Sequence, residues 1–316
     1  MPDEISRSRS VPELSVVVPC YREAAGIQLL LARLLPVLES LVPSFEILLI
    51  NDGSPDNTEQ EIWAAAQRDP RVKGVSLSRN FGHQAALIAG LERAQGRAVI
   101  SMDADLQHPP EVIRELVSEW KSGFEIVQAV RQETQGIGIL KRLSSVWFYR
   151  LFQVLAHLSL PPGSSDFRLL DRKPLTALLA LSESSRFLRG LVSWIGFKRK
   201  EIVYTAESRS TGTSGFTLVK MLRLALDAIV SFSDRPLYFS LFIGLALGFG
   251  IVVYGLFVIE KAWEGAVVPG WTSSILLTGA VGSVLLINQG LQGLYLSRLY
   301  REAKKRPIYI VRDETP

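Results

Sequence analysis

Two long stretches of this 316-residue chain carry no formal charge, and they constrain its architecture more than any other feature. The first, Leu237 to Ile259, holds 23 residues, and the second extends from Gly265 to Ser297. As a helix the first spans roughly 35 Å, enough for a hydrocarbon core of ~30 Å. The second contains SSILLTGAVGSVLLINQGLQGLYL, where Gly279, Ala280, Gly282 and Ser283 suit close helix packing. Asn288 and Gln289 are costly against lipid, so they are expected to face protein or the membrane edge. Nothing comparable precedes residue 237, and the chain reads as a soluble domain with a membrane anchor at its C-terminal end. Two buried helices of a large soluble core are the alternative, against which stand their length and their lack of an amphipathic pattern.

The flanks predict orientation. Glu260, Lys261 and Glu264 lie between the two runs, whereas Arg298, Arg301, Lys304, Lys305 and Arg306 follow the second with only Glu302 opposing. Basic flanks stay on the cytoplasmic side, which places the N-terminal domain and the tail there in a multi-pass inner-membrane arrangement. MPDEISRSRS has no apolar core of the signal-peptide kind. Before the first run, Leu218 to Phe232 sets Lys220, Arg223 and Asp227 on one helical face, with Leu218, Met221, Leu222, Ala225, Ile229 and Phe232 elsewhere. That pattern fits a helix in the membrane interface, or a core helix of the soluble domain. Ile139 to Leu158 is similarly apolar, with Lys141, Arg142 and Arg150.

The first two hundred residues alternate strand and helix. LSVVV (14–18), FEILLI (45–50), 72–77, 98–102 and 124–130 are short apolar runs, separated by helical patterns near 24–40, 57–68, 82–95 and 110–121. Apolar strands alternating with helices predict an α/β fold whose mainly parallel sheet is covered on both faces. Ligands of such sheets sit beyond the carboxyl ends of the strands. Neither G-x-G-x-x-G nor a Walker A loop follows a strand, which excludes the usual dinucleotide and P-loop readings. The single cysteine, Cys20, excludes an internal disulfide framework and a multi-cysteine metal site, and His83, His108 and His157 are too scattered for a histidine cluster.

Acids gather at the strand ends instead. After the fourth strand comes Asp103-Ala104-Asp105-Leu106-Gln107, whose alternate residues can offer oxygen ligands on one side. Mg²⁺ or Mn²⁺ binds through one or two carboxylates plus substrate phosphates, so this set suits a metal bridging a diphosphate. A solvated turn, with Pro109 and Pro110 opening the next helix, is the other reading. Asn51-Asp52-Gly53-Ser54 after the second strand is either a plain turn or a place where Asp52 accepts hydrogen bonds from a nucleotide. Glu23, after the first, is either a nucleotide contact or an acid favoured by a helix N-terminus.

VVVPCYREA, EILLINDGSPDNT, LSRNFGHQAALIAGL, SMDADLQHPPEVI and SDFRLLDR occur in that order. Together with the two C-terminal runs they resemble the family-two glycosyltransferases of GT-A fold that act on polyprenyl phosphate. The likeness is to the bactoprenol (undecaprenyl-phosphate) glucosyltransferase group, with dolichol-phosphate mannose synthases as relatives, and it covers about residues 12–300. The resemblance implies a nucleotide pocket of Pro19, Tyr21, Glu23, Asp52 and Asp103. It implies a metal set of Asp103, Asp105 and Gln107, with Asp105, Arg131 and Asp166 at the reacting centre. Lys141, Arg142 and Arg168 are the implied contacts of the acceptor phosphate, although a basic stripe drawn to anionic lipid explains Lys141 and Arg142 equally well. The implied partners are a nucleotide-sugar donor, UDP-glucose first, a polyprenyl-phosphate acceptor and the membrane, with no nucleic acid and a homotetrameric assembly. N-acetylhexosamine, mannose and a modified arabinose are the alternative sugars.

The implied division is a flexible terminus over 1–11, a cytoplasmic GT-A domain over 12–212 and a juxtamembrane amphipathic helix over 213–234. Spans over 237–259 and 272–296 follow, then a basic cytoplasmic tail over 298–316. Two departures stand out. Gly215 occupies a place where this family often has lysine, with Arg209 nearby as a substitute, and Arg22 stands where asparagine is usual. A processive polysaccharide synthase would need Q-x-x-R-W and more spans; Arg186-Phe187-Leu188-Arg189-Gly190 echoes that motif only in part. A non-catalytic lipid-binding scaffold is the other rival, and the intact D-x-D-x-Q speaks against it.

Overall fold

The computed structural model describes residues 11–132, 164–181, 183, 187–205, 235–264 and 270–315. Lys141, Arg142, Arg209, Gly215, the stretch 139–158, the expected helix over 213–234 and nearly all of the terminus over 1–11 lie outside the described residues.

The chain divides into two compact units, one of residues 1–153, 158–216 and 307–316, the other chiefly 217–306. In the first unit the apolar runs become strands: β1 Leu14–Cys20, β2 Phe45–Asn51, β3 Val72–Leu77, β4 Ala98–Ser101 and β5 Ile126–Arg131. Helices α1 Ile27–Leu41, α2 Thr58–Arg68, α3 His83–Arg93 and α4 Ile113–Lys121 connect them, the last preceded by a 3₁₀ turn at Pro110–Val112. Three further strands, β6 Ser164–Asp171, β7 Arg199–Tyr204 and β8 Val311–Glu314, and two short helices, α5 Arg172–Leu179 and α6 Leu188–Trp194, complete the unit.

All eight strands form one sheet in the order β7-β5-β6-β4-β1-β2-β3-β8. The pairs β4–β1, β1–β2, β2–β3 and β5–β7 are parallel, as expected for strands joined by helical crossovers. The antiparallel pairs are β4–β6, β5–β6 and β3–β8. β1 and β2 are buried along their whole length, with Val16, Val18, Ile47 and Leu49 fully enclosed. Each such side chain contributes about 1.5–3 kcal/mol by leaving water. Helix α3 rests directly on them: a Cβ at Gly90 would lie 2.2 Å from Val17 Cγ1, so a larger residue there would lift the helix off the sheet.

The tail differs from a simple basic flank. After the helix over the second apolar run, residues 307–316 return to the first unit, where β8 pairs antiparallel with β3. Tyr309 Oη donates to Glu92 at 2.5 Å, and the Arg93 guanidinium, 3.1 Å from Glu314, also donates to Tyr309 Oη at 2.9 Å. The free edge of β3 is thereby paired by the chain itself, which removes a site of strand-to-strand aggregation.

The second unit holds α7 Arg235–Trp263 and α8 Trp271–Ala303, one helix over each uncharged run. Among the described residues α7 alone, over Leu237–Lys261, is long and apolar enough to cross a membrane. Asn288 of α8 accepts a hydrogen bond from Ser240 of α7 (3.2 Å), so it faces protein as expected; Gln289 is exposed.

Candidate active site

The loops after β1, β2 and β3 are sewn together at the carboxyl end of the sheet. Asp52 N–H donates to the Cys20 carbonyl at 2.9 Å, and Arg22 N–H donates to Ser54 Oγ at 3.2 Å. The Asp52 carboxylate, buried, accepts the backbone N–H groups of Phe81 (2.7 Å) and Gly82 (2.9 Å). Burial raises its pKa, and those two donors partly offset the rise. Gly53 makes this possible: its φ is +59°, and a Cβ would sit 2.3 Å from the Arg79 carbonyl carbon. Pro19 lies buried in β1, Tyr21 is 41% exposed beside it, and the Arg22 guanidinium stands over the Tyr21 ring at 5.5 Å. Glu23 N–H donates to Thr58 Oγ1 at 3.0 Å, joining the first loop to the start of α2. Burial pushes the Cys20 thiol far above its ordinary range, which removes it as a nucleophile.

The D-x-D segment leaves β4 as a turn. Asp103, Asp105 and Gln107 are half-buried while Ala104, Leu106 and His108 are buried, so the three expected ligands share the more open side. Leu106 adopts φ +59°, a left-handed conformation strained for a branched residue, and Gln107 N–H donates to Asp105 Oδ1 at 3.1 Å. Asp103 is set by His108, whose Nδ1 accepts the Asp103 backbone N–H at 3.0 Å. Burial lowers the His108 pKa and keeps the ring neutral, as an accepting Nδ1 requires; it stacks on Phe167 at 4.9 Å. Asp103 Oδ1 is buried without a hydrogen-bond partner. An unsatisfied buried carboxylate oxygen is costly unless a ligand completes it, and a divalent cation does so. Among the described residues no group of three or more His, Cys, Asp or Glu could hold a metal. Two carboxylates that leave the remaining positions to phosphate and water match the way Mg²⁺ and Mn²⁺ are held.

Asp166 presents the opposite environment. β6 pairs with β4 so that Arg168 stands opposite Ser101, and Ser101 Oγ donates to the Asp166 carbonyl. The carboxylate is 3% exposed and accepts from Arg168 Nη2 (2.9 Å), Arg189 Nε (3.2 Å) and Nη2 (3.1 Å), and Gln84 Nε2 (3.1 Å). His83 Nε2 lies 3.4 Å from Asp166 Oδ2 and 3.5 Å from Asp103 Oδ1, bridging the two acids. Burial alone would raise the Asp166 pKa, but the His83 hydrogen bond and the charges of Arg189 and Arg168 carry it well below the carboxylate range. For His83, burial works downward and is outweighed by Asp166 and Asp103, so its pKa rises. Arg168 is buried, and desolvation lowers its pKa to about 10.

The structure therefore brings Asp103, Asp105, Gln107, Asp166 and Arg168 to one region, with Asp52 anchoring the neighbouring loop. Arg131 ends β5 in register with Tyr204, which packs edge-on to Phe167 at 5.8 Å. Sequence reasoning assigned no role to His83, Gln84, His108 or Arg189. The signal for the first two was position: they open α3 just beyond β3, where strand ends carry function.

Comparison with known proteins identifies the family. The Glycosyl transferase family 2 pattern matches residues 15–179. An uncharacterized glycosyltransferase of Synechocystis is 41% identical over 302 residues, covering 95% of each chain. The bactoprenol glucosyl transferase of Shigella phage SfV is 37% identical over 303 residues, covering 96% of this chain and 99% of that one. Among solved structures, glucosyl-3-phosphoglycerate synthase of Mycobacterium tuberculosis, in complex with Mn²⁺ and UDP-glucose, aligns with 69% of this chain and 77% of its own at TM-score 0.47 and 18% identity. The protein is a glycosyltransferase and belongs to glycosyl transferase family 2.

Proposed function

We propose that the enzyme transfers a sugar, glucose from UDP-glucose in the first instance, to polyprenyl phosphate at the cytoplasmic face of the membrane, with inversion at the anomeric carbon. The observation that carries this reading is the near full-length match to a bactoprenol glucosyl transferase, combined with the acids that the fold gathers at the strand ends. Two C-terminal spans over 237–259 and 272–296 would keep the enzyme beside an acceptor that never leaves the bilayer; the apolar surface of α7 supports the first.

The acceptor oxygen attacks the anomeric carbon, a new C–O bond forms, and the bond to the diphosphate breaks with its electron pair leaving on the nucleoside diphosphate. A phosphate monoester has its second pKa near ~6, so the nucleophile is already largely dianionic at neutral pH. It needs little from a general base, and catalysis rests on alignment and on stabilising the leaving group. Asp103 and Asp105, with Gln107 beside them, would hold Mg²⁺ or Mn²⁺, which supplies positive charge against the departing diphosphate. His108 fixes the Asp103 backbone, and Asp52 holds the loop at Phe81 and Gly82 that borders the proposed nucleotide pocket.

The test is a panel of nucleotide sugars offered with a C55 polyprenyl phosphate, the lipid product being identified by mass. Glucosyl transfer from UDP-glucose above all other donors is the expected result. Transfer of another sugar would change the donor; no lipid product with any donor would overturn the reading in favour of a non-catalytic scaffold.

A further inference from the structure

We propose that the segment 309–315 is a positioning element of the donor site, holding the loop over 78–82 against which Asp52 is fixed. The proposal rests on the nucleotide-sugar donor proposed above. It gives a role to a part of the chain that lies outside both the motifs and the family pattern over 15–179.

The first observation is where the segment bonds. Ser78 N–H, the first of the loop, donates to the Ile310 carbonyl at 2.9 Å, and Leu77 stands opposite Val311. At the other end of the loop, Phe81 and Gly82 give their N–H groups to Asp52 at 2.7 and 2.9 Å. Ser78, Arg79 and Asn80 are exposed, so little burial holds the loop and its backbone bonds decide its place. Further along the strand, Thr315 N–H donates to the Gly74 carbonyl and Thr315 Oγ1 accepts the Gly74 N–H, each at 2.9 Å.

The second is what the side chains grip. Arg312 is the extra residue of a bulge, since Ser76 pairs with Asp313 and Leu77 with Val311. Bulges re-aim side chains, and the Arg312 guanidinium meets Glu59 in the first turn of α2. Thr58, beside Glu59, accepts the Glu23 N–H through Oγ1 and so ties in the loop after β1. Glu314 and Tyr309, in turn, bond Arg93 in the last turn of α3, the helix that the 78–82 loop enters. The segment therefore grips the strand before the loop, the helix after it, and the helix that follows the neighbouring Asp52 loop. Covering a free edge needs only backbone pairing and a few charges. Contacts on every element that frames the donor loops go beyond that need.

The experiment compares wild type in detergent with two variants: a chain ending at Arg306, and the double substitution Tyr309→Phe with Arg312→Gln, which keeps the backbone pairing. UDP binding is measured by isothermal titration. Amide hydrogen exchange over 78–82 is followed without ligand, with β1 as the internal reference. The shortened chain is expected to bind UDP about 10-fold more weakly and to exchange 78–82 about 10-fold faster, with β1 unchanged. The double variant should move both readings the same way by about 2- to 5-fold. A synthetic peptide of residues 307–316, added to the shortened chain, should restore both. A lower melting temperature with UDP affinity and 78–82 exchange unchanged would overturn the proposal and reduce the segment to an edge cover. Exchange rising equally in β1 would also overturn it, because the loss would then be global. Should the shortened chain not fold, the double variant decides by the same two readings. A wild type that binds no UDP, with 78–82 still loosened in the variants, would break the donor reading and leave the hold on the loop standing.

Discussion

Asp166 and Asp103 are carboxylates joined through one imidazole, yet their surroundings differ completely. Asp166 is enclosed and accepts hydrogen bonds from Arg168, Arg189 and Gln84, with His83 in contact. Asp103 is half-buried, and its Oδ1 is enclosed with no hydrogen bond, His83 Nε2 standing 3.5 Å away. The first charge is consumed inside the protein, where it orients arginines; the second is left incomplete, which suits a ligand that brings its own positive charge. A general base must be able to take up a proton at working pH, and an acid held well below the carboxylate range by two arginines and a histidine is poorly placed for that. Within the proposed function, the difference favours positioning for Asp166 and ligand binding for the Asp103–Asp105 turn.

The widest test of this contrast is to remove a charge on each side. Asp105→Ala is expected to reduce turnover by about 10³-fold or more, the scale on which stabilisation of developing charge is lost, while the melting temperature barely moves. Chelation of divalent cations should abolish activity in wild type and return it on adding Mg²⁺ or Mn²⁺. Asp166→Asn should do the reverse: removing one partner of a buried ion pair costs about 3–5 kcal/mol, so thermal stability falls sharply while measurable turnover persists. Equal and complete loss of activity in correctly folded versions of both would make Asp166 an obligatory base and erase the distinction.

A second mutation probes how the donor side is built. Gly53→Ala forces a Cβ against the Arg79 backbone in a left-handed turn, and should part the loops after β2 and β3. The expected cost is about 2–3 kcal/mol of stability, with a rise in the UDP dissociation constant because Asp52 loses its fixed place. Isothermal titration with UDP alone, beside a thermal melt, would check both. Unchanged nucleotide affinity would detach Asp52 from the pocket.

Much of this molecule was legible in its sequence, and the parts that were not share a physical cause. The runs at 14–18, 45–50, 72–77 and 98–102 are apolar because their strands are covered on both faces, so composition alone locates them. β6 escaped because SSDFRLLD is charged, yet it lies between β4 and β5 in the sheet. Its Asp166 and Arg168 pair with each other, and pairing of that kind leaves no mark on hydropathy. β8 escaped because VRDE, on an edge, needs no apolar pattern. The D-x-D acids were readable from their place after a strand, whereas His83, Gln84 and Arg189 join Asp166 only through folding, from α3 and α6.

The contrast can also be read through pH. A carboxylate whose folded pKa lies below its unfolded value stabilises the fold above the unfolded value, near ~3.9, and that contribution is lost as pH falls through the folded pKa. Asp166 belongs to this class, so its contribution should be intact at neutral pH and disappear only in strong acid. Asp52 has the opposite sign, since burial raises its folded pKa: ionisation there opposes folding at neutral pH and ceases to do so once the group is protonated. Melting curves of wild type and Asp166→Asn should run parallel from pH 7 to about pH 4 and converge only below it, as the acid strengthens. Curves that stay parallel below about pH 3 as well would show that the Asp166 charge is not what holds the cluster.

The smallest effect expected concerns Arg22. Its φ of +60° places it in the left-handed region, which costs an ordinary L-residue about 1–2 kcal/mol and which asparagine tolerates better. The family's usual asparagine at this position is therefore explained by backbone conformation as much as by any contact with a nucleotide. Arg22→Asn should raise stability by about 0.5 kcal/mol. Its side chain leaves the Tyr21 ring, while the hydrogen bond from the residue 22 backbone N–H to Ser54 is preserved. If UDP affinity also stays constant, the departure at this position is a matter of strain alone; a fall in affinity would show that the guanidinium over Tyr21 takes part in holding the nucleotide.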